Sequence, residues 1–328
     1  MFAKYRALIS STYKSKDTEE WIDVWYTRPI GLLWTLAFKK LGVAPNVVTI
    51  LSMVIGVAAG WMFCYTDFLH NALGVVLLAW ANFYDSADGQ LARLTGKKTR
   101  WGRMLDGFAG DVWFAAIYLA IVYRLWNEPI PLLHLHWGVA VLALTVVSAL
   151  CHARQCQLAD YYRNVHMYFS FGDGSSELDN SETQRQKMRE LPCKGNFWWR
   201  VFLFFYSRYT RSQEQMTPCL QKLLKTIRTD RSNVVPDGFR LDFRKESKPM
   251  MKYANILTFN CRAITLYVAC LLNIPWLYIA VEIIGFTLLA LWLRKCHESL
   301  CSHILMLLDE GYYDNEPLLK DSYATENK

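Results

Sequence analysis

Asp85-Ser86-Ala87-Asp88-Gly89-Gln90-Leu91-Ala92-Arg93 and, eight residues later, Gly102-Arg103-Met104-Leu105-Asp106-Gly107-Phe108-Ala109-Gly110-Asp111 lie in and between apolar runs at 71–84 and 104–123. An ionised carboxylate in a bilayer costs on the order of 3 kcal/mol on the mildest insertion scale. Four aspartates within 27 residues of such sequence therefore predict a polar cavity holding a compensating charge. A divalent cation is the simplest source of that charge.

Outward from this stretch, the 328 residues are 53% hydrophobic, with 13 Trp, 18 Tyr and 17 Phe, more apolar and aromatic than a soluble chain of this length. Apolar runs at 47–66, 71–84, 104–123, 137–151, 254–274 and 276–293 each approach the length that crosses a bilayer as a helix. They predict an all-α polytopic membrane protein with six transmembrane helices. With both termini on one side, the opposite loops are 66–70, 124–135 and 272–274, and of 36 Lys and Arg only Arg124 falls in them. Basic residues mark the cytoplasmic side, so both termini and the aspartates are expected to face the cytoplasm. That membrane is the inner or plasma membrane in a bacterium and an endomembrane in a eukaryote.

The formal charge of +7 carries no basic face interleaved with stacking aromatics, so nucleic acid is not an expected partner and anionic lipid headgroups are. Nine cysteines, an odd count without a CxxC pair, indicate neither a disulfide framework nor a zinc site. No cleavable signal peptide is visible at the N-terminus. The acids cluster at one rim and no inverted repeat is evident, which argues against a transporter.

The organisation follows from composition. Residues 1–46 are a cytoplasmic N-terminal segment in which Pro29 to Leu41 reads as an amphipathic interfacial helix. Residues 47–163 hold four crossings and the aspartates, 164–252 a cytoplasmic helical insertion, 253–308 the last two crossings and a following helix, and 309–328 a disordered tail. In the insertion, charged helical stretches are expected near 181–190 and 213–229, and Phe197 to Tyr206 is apolar but too short to span.

On a helix, Asp85 and Asp88 lie about 60° apart on one face. Gly89 leaves bare backbone beside them for a phosphate, and Arg93, one turn on, offers a guanidinium that grips phosphate bidentately. Asp106 returns on the next helix at about the depth of Asp88. Three carboxylates from two helices make an oxygen-rich site for Mg²⁺ or Mn²⁺, which stabilises charge during attack at a pyrophosphate. A fourth carboxylate is then free to take a proton from an attacking hydroxyl.

The run Asp85-x2-Asp88-Gly89-x2-Ala92-Arg93-x8-Gly102-x3-Asp106 resembles the signature of the CDP-alcohol phosphotransferases, membrane enzymes of phospholipid synthesis, and Pro45-Asn46-Val47-Val48-Thr49 resembles the same family. The resemblance implies displacement of CMP from a CDP-linked alcohol. It implies two metal ions held by Asp85, Asp88 and Asp106, a CDP site lined by Gly89, Ala92 and Arg93, and a homodimer. One departure stands out. The family closes on Asp-x3-Asp, whereas here Gly110 follows Asp106 at that spacing and the aspartate is Asp111. On a regular helix Asp111 is rotated about 140° from Asp106, so its use as the base requires a one-residue π-bulge, which Gly107 and Gly110 would ease. Otherwise Asp106, a water or another residue takes the proton.

Arg262 and Glu282 fall at comparable depth in the last two crossings and either pair with each other or leave Arg262 facing an acceptor pocket. His152 and Arg154 are either interfacial residues or the polar rim of that pocket, and His297 and His303 are expected at a helix surface. The favoured reaction has CDP-diacylglycerol as donor and a small polar alcohol, inositol or inositol phosphate, as acceptor. The reverse use, a CDP-aminoalcohol donating to diacylglycerol or ceramide, shares the motif, and a CDP-binding relic without turnover is the further alternative.

Overall fold

The computed structural model describes residues 15, 17–97, 99–131, 135–172, 176, 178–192, 195–230 and 235–314. The first 14 residues of the expected N-terminal segment, residues 173–175 of the polar loop and the tail from residue 315 lie outside the described residues. Apart from an isolated bridge between Pro129 and His136, the described secondary structure is helical. A π-helical turn at Asp23–Thr27 leads into α1 (Arg28–Lys40). Then follow α2 (Pro45–Met62), α3 (Phe68–Thr95), α4 (Arg100–Leu125), α5 (Gly138–Phe171), α6 (Ser181–Glu190), α7 (Phe197–Met216), α8 (Pro218–Asp230), α9 (Asp237–Ile256), α10 (Phe259–Leu271) and α11 (Trp276–Ala280). A second π-helical turn, Val281–Phe286, carries α11 into α12 (Thr287–Asp309).

Among the described residues five segments are long and apolar enough to cross a membrane: Pro45–Met62, Met104–Leu125, Gly138–Phe171, Asp237–Leu271 and Trp276–Asp309. The chain is an all-α polytopic membrane protein. The remaining expected crossing, 71–84, lies within α3, whose last turns carry Asp85, Asp88 and Arg93, so that its apolar part is short. Arg124, expected in a loop, closes α4 instead and is buried, donating to Asn71 Oδ1 at 2.9 Å and to the Phe63 carbonyl at 3.4 Å.

The helix ends follow local chemistry. Pro45 opens α2 from an extended Ala44, where a missing N–H costs nothing. Asp67 caps α3 by accepting from His70 N at 3.1 Å, and Gly96, at φ 67°, ends it in a conformation that glycine adopts without strain. Thr99 caps α4 by accepting from Gly102 N at 2.9 Å.

The chain divides into two compact units. One contains residues 19–152 and 259–285, with a core of Phe63, Leu78, Trp113, Ile117, Leu266 and Tyr278. Within it, α2 approaches α4 through small residues: a Cβ on Gly56 would stand 2.0 Å from Trp113 Cδ1, and one on Gly60 2.8 Å from Ala116 Cβ. Close backbone approach of this kind replaces the hydrophobic drive that lipid removes. The Trp113 indole N–H completes the contact, donating to the Ser52 carbonyl at 3.0 Å. Helix α1 buries Phe38 against Ala87 and Leu91 of α3, buries Leu32 as well, and leaves Leu33 and Leu36 exposed, the two-faced pattern expected of Pro29 to Leu41.

The other unit contains 153–258 and 286–314 together with the described residues of 14–18. Phe169, Leu223, Phe239, Phe243, Leu300 and Ile304 form its core. His297, expected at a surface, is fully buried there and stacks on Tyr162 with ring centroids 3.9 Å apart. The local polarity of α12 concealed this because its covering residues come from α5 and α9. Asp17 is nearly buried among bases, accepting from Arg244 Nε at 2.7 Å, 2.9 Å from Lys248 Nζ and 3.5 Å from His166 Nε2. Helix α7 buries Leu203, Ser207 and Thr210 and exposes Phe197, Trp198 and Phe205.

Candidate active site

The last turns of α3 and the first turns of α4 bring three carboxylates together. Asp85, Asp88 and Asp106 each offer an oxygen, and these oxygens lie within 4.8 Å of one another. Asp88 is 3% exposed, Asp85 is partly buried and Asp106 is exposed, so the group opens at Asp106. Helix α4 begins five positions after α3 ends at Thr95, and this short return produces the convergence.

A third helix steadies the group. The Thr49 hydroxyl, in the first turn of α2, contacts Asp88 Oδ2 and lies 3.2 Å from its own helix's Pro45 carbonyl. A Cβ on Gly102 would stand 2.7 Å from Asn46 Oδ1, so the start of α4 rests directly on the start of α2. Pro45, Asn46 and Thr49 are thereby explained: they buttress the α3–α4 pair from one side.

Asp85 Oδ1 is buried and has no hydrogen-bond partner among the described residues. A buried acceptor left alone costs roughly 1–3 kcal/mol, and like charges this close repel. Both observations fit a bound cation, and an all-oxygen donor set suits Mg²⁺ or Mn²⁺. Beside the carboxylates, a Cβ on Gly89 would meet only the Arg93 guanidinium, 3.5 Å from Nη1. Arg93 is exposed and Ala92 partly buried, on the last turns of α3 beyond Asp88.

Asp111 does not join the three. Helix α4 is α-helical from Arg100 to Leu125, and the bulge considered at Gly107 and Gly110 is not present. The regular repeat carries Asp111 about 140° round from Asp106. It interacts electrostatically with His152. Gly110 occupies the position one turn beyond Asp106, and a Cβ there would meet nothing within 4 Å.

Arg262 and Glu282 pair, with Arg262 Nη1 at 2.5 Å from Glu282 Oε1 and both side chains fully buried. Glu282 also accepts from Tyr118 at 2.6 Å, from Tyr278 at 3.0 Å and from Ser148, and His152 Nδ1 lies 3.2 Å away. The π-helical turn that holds Glu282 was not foreseen, although the matching depth of the pair was readable. Arg154, in the other unit, is exposed and bonds to Ser212.

Residues 42–165 match the CDP-alcohol phosphatidyltransferase family. This stretch is similar to a CDP-alcohol phosphatidyltransferase domain. This is a transferase family, and the domain contains all four aspartates of the stretch first quoted. Over 83 residues the chain is 37% identical to the archaetidylinositol phosphate synthase of Pyrococcus horikoshii, an alignment covering 25% of this chain and 42% of that protein. The chain thus spans less than half the length of this curated relative. No solved structure matches it.

Proposed function

We propose that the chain is a membrane CDP-alcohol phosphatidyltransferase that displaces CMP from CDP-diacylglycerol with a small polar alcohol. The observation that carries this reading is the meeting of Asp85, Asp88 and Asp106 from two helices beside Gly89 and Arg93. The three aspartates would hold two Mg²⁺ or Mn²⁺ ions, which when bound neutralise charge on the donor's pyrophosphate. Gly89 and Ala92 admit the nucleotide close to the backbone, and Arg93 binds a phosphate oxygen. Asp106, the exposed carboxylate of the three, takes the proton of the attacking hydroxyl; Asp111 is directed elsewhere by the regular helix. The hydroxyl oxygen bonds to the phosphorus of the lipid-side phosphate as that phosphorus parts from the CMP oxygen.

The site faces the cytoplasm on the positive-inside pattern, and two copies associate as in the resembled family. Inositol phosphate is the favoured acceptor because the relative's name specifies an inositol phosphate product. A second reading, a nucleotide-binding relic, draws on one observation: no carboxylate follows Asp106 at one helical turn, where Gly110 stands.

The test is CMP release from CDP-diacylglycerol by the purified full chain in lipid nanodiscs, with inositol, inositol phosphate, glycerol phosphate and serine as acceptors. Release that needs Mg²⁺ or Mn²⁺, stops with chelator and depends on one acceptor is the expected result. Binding of CDP without release for any acceptor selects the relic. Release only from a CDP-aminoalcohol with diacylglycerol or ceramide reverses the lipid's role.

A further inference from the structure

Helix α1 places Arg28, a residue the aspartate motif does not contain, alongside the turn of α3 that carries Gly89 and Gln90. Arg28 opens α1, and Gln90, next to Gly89, donates from Nε2 to the Arg28 carbonyl at 3.3 Å. A Cβ on Gly31 would stand 2.9 Å from Ser86 Oγ, and the Thr35 hydroxyl lies 3.1 Å from the Ala87 carbonyl. Helix α1 therefore lies along the same turns of α3 that carry Asp85 and Asp88.

The Arg28 side chain is mostly buried, and its Nη2 donates to Glu19 Oε1 at 2.7 Å, with Glu19 7% exposed. Arg28 and Arg93 also interact electrostatically, like charge with like. Two guanidiniums held near each other repel, and a polyanion between them relieves that repulsion more fully than one carboxylate.

We propose that Arg28 and Arg93 clamp the diphosphate of the nucleotide donor between them, with Glu19 holding the Arg28 guanidinium in position. The proposal rests on the donor reading above and adds to it a residue from outside the aspartate motif. Arginine is the suited residue because its planar fork engages two phosphate oxygens, which a lysine ammonium does not.

The test measures binding of Mg²⁺–CDP and of Mg²⁺–pyrophosphate to the full chain in detergent, for wild type, Arg28→Gln, Arg28→Lys and Glu19→Gln. Arg28→Gln is expected to weaken both ligands about 10- to 100-fold, the loss of a charge-assisted pair. Arg28→Lys should recover part of that loss. Glu19→Gln should raise KM for the donor with kcat retained, the signature of a positioning residue. Unchanged pyrophosphate binding in Arg28→Gln overturns the clamp. So does an Arg28→Lys variant that binds both ligands as tightly as wild type, because a point charge then suffices and no fork is used. A wild type that binds pyrophosphate but not CDP removes the donor reading alone, and the clamp is then judged on pyrophosphate.

Discussion

At the scale of single residues, Asp88 is the most constrained of the three carboxylates: buried, contacted by Thr49 and held against two other acids. Asp88→Asn is expected to abolish Mg²⁺-dependent CDP binding and turnover together, since an amide cannot match the charge the site is built around. Calorimetric titration of CDP in Mg²⁺ checks it, and ordinary binding by the variant would remove Asp88 from the metal site. Asp111 makes the opposite case. Asp111→Asn should retain CMP release within a few-fold of wild type, because the α-helical repeat turns it away from Asp106; a thousand-fold loss would return the base to Asp111. The carboxylate group was readable because it depends on local arithmetic: three residues between acids on one helix, and a short return. Arg28 was not readable, because the chain that places it beside Gln90 lies 62 positions away.

At the scale of elements, the buried pair Arg262–Glu282 ties α10 to the π-helical turn after α11. Removing one partner takes the buried counter-charge from the other, so Arg262→Met or Glu282→Gln alone should lower stability by about 3–5 kcal/mol, and the double variant should recover much of it. Denaturation in detergent micelles across the four proteins measures this; additive losses would show that the two act separately. Helical depth let the sequence bring Arg262 and Glu282 to one level. It did not foretell Tyr118, Ser148 and Tyr278 around Glu282, because their approach depends on how α4, α5 and α11 rotate about their axes. The same limit applies to the expected bulge in α4, where flanking glycines permit a distortion that nothing in the packed helix demands.

At the scale of the whole molecule, the membrane class was plain from apolar runs and aromatic content, while the second core was hidden. Residues of the polar insertion assemble around Phe169, Phe239 and Phe243, which are scattered along the chain. Asp17 joins this unit by accepting from Arg244 and Lys248. Burial alone would raise its pKa, but those two bases hold it down to about 2. A carboxylate lowered in the fold stabilises above its unfolded pKa near 4 and loses that contribution as pH falls toward 2. Asp17→Asn should therefore cost about 1–2 kcal/mol at neutral pH and converge on wild type near pH 2, as thermal melts over that range would show. A constant gap at all pH values would mean that Asp17 acts through packing rather than charge.

Gly102 links these scales. A Cβ there would stand 2.7 Å from Asn46 Oδ1 and 2.9 Å from Thr99 Oγ1, so a larger residue must displace the Asn46 side chain or shift the start of α4, the helix that carries Asp106. Oxygen cages discriminate ions by tenths of an ångström, roughly 2.1 Å for magnesium against 2.4 Å for calcium. In the proposed metal site, a shift of α4 by Gly102→Ala is therefore expected to change the preference between magnesium and the larger calcium, as competitive ion titration would show.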